Sequence, residues 1–137
     1  MKTYNIIFNG YIRDEKKESL PEYSGVYIVY RCMFNPQERT VTLIEILYIG
    51  QAENINHRIC NHDKRDEFFN ELTEDETICY SYAKVDKKNL DIIENALIFA
   101  QKPRLNDKLV DNYNYDSAEF KIEGRCSLLK HTNYTIN

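Results

Sequence analysis

The sequence predicts an α/β (α+β) fold: a small three-stranded antiparallel sheet flanked by helices, with short N- and C-terminal extensions. Three runs rich in β-branched and aromatic residues supply the strands: 25–32 (GVYIVYRC), 41–49 (VTLIEILYI) and 76–85 (ETICYSYAKV). Residues 86–101 supply the strongest helix, with Asp86 as its N-cap and Lys102-Pro103 as its stop. The Asn35-Pro36 turn signal joins the first two strands into a hairpin, which places Tyr27 and Tyr48 in one neighbourhood.

The remaining elements follow in order. Residues 5–12 (NIIFNGYI) are apolar enough for a strand, broken at Gly10, and 14–18 read as a loop or the solvated face of a turn. Residues 53–62 form a short helix and 67–72 another. On the first of these Asn54, Arg58 and His62 are spaced by four and share one face, while Ile55 and Ile59 supply the core stripe. On the long helix the apolar arc takes in Ile92, Ile93, Ala96, Leu97, Phe99 and Ala100. Glu94 stands at its border beside Leu90, Leu97 and Ile98, so its carboxylate is partly desolvated and needs a cation or a donor. The plain alternative is a salt bridge at the rim of the core. After Asn106 the pattern weakens; 118–123 reads as a strand and the tail 131–137 as loose.

Composition excludes several classes. With 137 residues there is room for one domain around one core. Eighteen Lys and Arg against 22 Asp and Glu give a net charge of -4, which argues against a protein that coats nucleic acid or an anionic membrane but leaves room for a local basic site. No apolar run approaches a membrane span, and the N-terminal residues lack the layout of a signal peptide, so no membrane partner is expected. The four cysteines form no CxxC pair and read as reduced residues of a cytoplasmic protein. Eleven Tyr and no Trp is the unusual count.

Each polar signal is weak alone, yet their order is distinctive. Gly25-Val26-Tyr27 on one strand is followed by Tyr48-Ile49-Gly50 on the next, then by Arg58 and His62, by Glu94 in IIENALI, and by Asn106 in KPRLN. This resembles the GIY-YIG nuclease family, over about residues 20–106. The resemblance implies a catalytic core at 20–106 and a C-terminal extension at 107–137 within a single domain, 1–137. It implies a DNA endonuclease using one Mg²⁺ or Mn²⁺ ion per site. Glu94 would hold the metal, Tyr27 and Tyr48 would flank the scissile phosphate, and Arg58 would contact it. His62 matches a histidine seen in part of the family, and Asn106 would help order the site. Gln51, His57, Lys102 and Arg104 join Asn106 as candidate substrate contacts, the last two from the most basic short loop nearby.

Those roles also make independent chemical sense. Hydrolysis of an anionic diester needs charge cancelled in the transition state, which an oxygen-loving divalent cation and a planar guanidinium both do. A tyrosine, with a reference pKa of about 10, becomes a useful base only beside positive charge. The metal and Arg58 would supply that charge, and His62 would take the proton onward. The chain departs from the family pattern in three ways. Twenty residues separate the two tyrosines, Gln51 stands where many relatives have lysine, and residues 48–108 carry nine Lys or Arg against 12 Asp or Glu. The substrate expected is DNA, with RNA left open, and a homodimer is admitted if both strands are cut. A catalytically inactive nucleic-acid or protein binding module of the same fold is the alternative.

Overall fold

The computed structural model describes residues 1–137. β2 (Gly25–Asn35) and β3 (Thr40–Ala52) form the expected hairpin, and β4 (Glu76–Lys84) pairs antiparallel with β2 on its other side. The sheet does not stop at three strands. β1 (Lys2–Arg13), β5 (Ala118–Gly124) and β6 (Asn133–Ile136) extend it to six, in the order β3-β2-β4-β1-β5-β6. β1 and β5 are parallel and every other neighbouring pair is antiparallel, so the sheet is mixed, and it curls into a half-barrel with few helices. This overturns the small three-stranded antiparallel sheet flanked by helices. The physical reason is that strand partners are set by contacts across more than a hundred residues, which local patterning does not carry.

The helices are short. α1 (Ile55–Cys60) and α2 (Arg65–Asn70) lie on one face of the sheet, and α3 (Leu90–Gln101) covers the other. β2 is buried on both faces, hence its nearly unbroken apolar run. Val26, Ile28 and Tyr30 point to Ile93, Ala96 and Leu97 of α3, while Tyr27 and Val29 point to Ile55, Ile59 and Phe68. α3 begins at Leu90 rather than 86. A 3-10 turn over Lys87–Asn89 precedes it, and the Asp86 side chain makes no cap hydrogen bond.

Two segments expected to be loose are built in. Residues 14–18 fall in a 3-10 turn, Asp14–Ser19, whose first side chain is buried. Asp14 accepts from both Arg65 amines, at 2.6 and 2.8 Å, and from Tyr80 Oη at 2.6 Å, tying the end of β1 to α2 and β4. Burial pushes its carboxyl pKa up, but the bonds from Arg65 and Tyr80 outweigh this and hold it below the usual range. The tail is β6: Tyr134 stacks on Phe120, and its hydroxyl donates to the Ala96 carbonyl. No helix is long and apolar enough to cross a membrane.

Candidate functional site

The site grows from the β2–β3 hairpin. Tyr27 lies opposite Gly50, and a Cβ on that glycine would stand 2.4 Å from Tyr27 Oη. Gly50 therefore lets the Tyr27 ring lie across β3. Gly25 serves a second close approach, since a Cβ there would meet the Ala83 carbonyl at 2.1 Å and Ile55 Cδ1 at 2.8 Å. Both glycines of GVY and YIG thus have a steric reason. The rings of Tyr27 and Tyr48 come to 6.5 Å between centroids on the α1/α2 side of the sheet.

α1 carries Arg58 but not His62. The helix is capped at its start by Asn54, whose side chain accepts from the His57 backbone N–H, and ends at Cys60. Asn54, Arg58 and His62 therefore do not share a helix face. Beyond the helix end His62 turns inward, its side chain 4% exposed, edge-on to Tyr27 and Tyr48 and tilted against Phe68. Its Nδ1 accepts the Lys64 backbone N–H at 3.1 Å. That leaves the ring proton on Nε2, which donates to Tyr27 Oη at 2.7 Å. Burial, helped by the Arg58 charge, pulls the His62 pKa down to about 4, so the ring is neutral near pH 7. In this tautomer His62 donates to the Tyr27 oxygen and has no free ring nitrogen to take its proton, unlike the relay expected from sequence.

Burial also raises the pKa of both tyrosines, assisted at Tyr27 by Tyr48 and at Tyr48 by Glu94, with Arg58 pulling the other way in each case. Both phenols are protonated at rest. Arg58 is a third exposed and donates to Asp63 Oδ1 at 2.9 Å. Glu94 has no cation within 4.0 Å. Its need for a partner is met by a donor: Gln51 Nε2 reaches Glu94 Oε1 at 3.0 Å and Asp91 Oδ1 at 2.7 Å. Burial pushes the Glu94 carboxyl pKa up.

Tyr48, Arg58, Asp63, Lys64, Glu94 and Asn106 line a cleft of about 480 Å³, together with Asp107 and Lys108. Tyr27 and His62 pack against Tyr48 without lining it. Asn106 acts as a substitute strand: its amide accepts from Ile49 N–H at 3.0 Å and donates to Ile49 C=O at 2.9 Å, while Leu105 N–H donates to Leu47 C=O. The free edge of β3 is thus clamped on both sides of Tyr48, and the Asn106 amide is spent on backbone.

Three candidate contacts lie elsewhere. His57 is exposed on the first turn of α1. Lys102 donates to the Val110 carbonyl, and Arg104 is held by Glu45 and Glu71; both line a separate depression beside β3. Conversely Asp63 and Lys64 stand in the cleft wall, and the HDK run beginning at His62 was the available signal for them.

No group of three or more His, Cys, Asp or Glu is placed to share a cation. Glu94 is the candidate ligand. A desolvated carboxylate facing a cleft with no paired cation fits Mg²⁺, which takes one or two protein carboxylates and fills its other positions with water and phosphate oxygens. No family model, curated protein or solved structure matches the chain.

Proposed function

We propose that the chain is a divalent-metal-dependent endonuclease of GIY-YIG type that hydrolyses phosphodiester bonds in DNA. The observation that supports this is convergence: β2, β3, α1, the turn after α1 and α3 each bring one motif residue to the same small volume. Glu94 would hold Mg²⁺ or Mn²⁺, which when bound supplies Lewis-acid stabilisation of a phosphoryl oxygen. Arg58 would exchange Asp63 for the phosphate, offering its planar fork to two oxygens. Tyr27, protonated and buried behind Tyr48, would position the Tyr48 ring, its own oxygen held by the His62 Nε2–H. Exposure favours Tyr48 as the group that orients the attacking water.

The competing reading is a non-catalytic binding module, and the Arg58–Asp63 pair favours it, because that arginine already has an anion. Nicking of supercoiled plasmid and cleavage of branched DNA, with Mg²⁺ or Mn²⁺, separates the two. The parent protein is expected to cut, and Glu94→Ala and Arg58→Ala each to lose on the order of 100-fold or more in rate. Equal cutting by Glu94→Ala overturns the assignment. Binding of DNA without cutting any substrate supports the module.

A further inference from the structure

A second, larger cleft of about 800 Å³ opens well away from the Tyr27–Glu94 site. Phe34 in its wall is seven residues beyond Tyr27 on β2, about 23 Å at ~3.3 Å per residue. Tyr11 and Val41 of the same wall pack on the α3-side core, whereas Tyr27 and Tyr48 belong to the α1/α2 side. The two clefts therefore lie on opposite faces of the sheet.

Four cations converge on this cleft from three separate stretches: Arg13 at the end of β1 with Lys16 in the 3-10 turn that follows it, Arg39 in the β2–β3 turn and Arg125 just after β5. No acidic side chain lines it. Arg13 is paired with Glu15, and its guanidinium lies 3.6 Å over the Phe34 ring. Lys16, Arg39 and Arg125 are exposed and have no carboxylate within 4.0 Å. Gathering unpaired like charges in a chain of net charge -4 is unfavourable unless an anion is shared among them. One small anion would call for desolvated donors at a single point, while these cations are spread, long and solvated. That arrangement suits a row of phosphates. Tyr11, and Phe34 with the Arg13 guanidinium lying over its ring, add planar walls on which the bases of an unpaired strand can stack.

We propose that this cleft binds single-stranded nucleic acid through its phosphates, independently of the nuclease reading. The test is fluorescence anisotropy of a labelled single-stranded oligonucleotide, in EDTA, over a series of salt concentrations. The triple variant Lys16→Gln/Arg39→Gln/Arg125→Gln removes exposed, unpaired charges, and circular dichroism checks that it is folded. The triple variant is expected to bind at least tenfold more weakly at low salt, with a log–log salt slope shallower by about 2, from roughly 0.7 per lost phosphate contact. Lys88→Gln, an exposed cation outside both clefts, is expected to bind as the parent does. The proposal is overturned if the parent binds no oligonucleotide, if the triple variant binds like the parent, or if the loss follows Lys88→Gln. Competition by inorganic phosphate at equal affinity would make it a small-anion site, and equal binding of duplex would refute the unpaired strand.

Discussion

At Tyr27 the environment, rather than the side chain itself, sets the chemistry. One hydroxyl is held by the Nε2–H of a neutral histidine, influenced by the charge of Arg58, and accommodated only because Gly50 has no side chain. Gly50→Ala is expected to force the ring aside, destabilising the protein by about 1–3 kcal/mol and lowering cleavage on the order of 100-fold. Thermal unfolding and plasmid nicking read the two effects. His62 adds a pH dependence whose sign is fixed. It titrates at about 4 in the folded protein against 6.5 unfolded, so the folded state binds fewer protons between those values. The stability it contributes is present above pH 6.5 and is lost as pH falls toward 4. The loss between pH 7 and pH 5 amounts to about 2 kcal/mol. Urea unfolding at the two pH values should show that drop in the parent and not in His62→Gln.

The elements transmit these demands through amide side chains. Asn106 clamps β3 beside Tyr48, so Asn106→Ala leaves the Ile49 N–H and C=O without partners. A stability loss of about 2 kcal/mol is expected, measured by urea unfolding, together with reduced cleavage as Tyr48 loosens. Two further amides, Asn95 and Gln101, are buried on α3 and hold the chain after it: Asn95 at Leu109, Asn112 and Asn114, Gln101 at Lys130 and His131. Much of this was legible. The hairpin, α1, α2 and β5 follow from local pattern, and Gly25, Tyr27, Tyr48, Gly50, Arg58 and Glu94 from their order. What was hidden depends on distant partners. His62 looked like a helix-face residue because its spacing from Arg58 fits a helix, but the chain leaves the helix at Asn61. Asp14 looked solvated because its charge is matched by Arg65, 51 residues later.

For the whole molecule, the error of three strands for six has the same origin. β1 alternates buried Ile6 and Phe8 with exposed Ile7, a clear strand, yet nothing local says that it lies between β4 and β5. The tail hid a strand because four residues seldom announce themselves, although Tyr134 and Ile136 have the two-residue period. Tyr134→Ala is expected to cost about 2–3 kcal/mol, through the lost stack on Phe120 and the lost bond to Ala96, and calorimetry measures it. The strand order also bears on how the chain is made. β1 is synthesised well before both of its neighbours: Ile12 pairs with Tyr80 and Lys2 with Ala118. At ~5–20 residues per second the ribosome leaves this apolar strand unpaired for several seconds. Ile6 and Phe8, buried once the sheet closes, are exposed on an unpaired edge during that interval, which is when β1 is most open to aggregation.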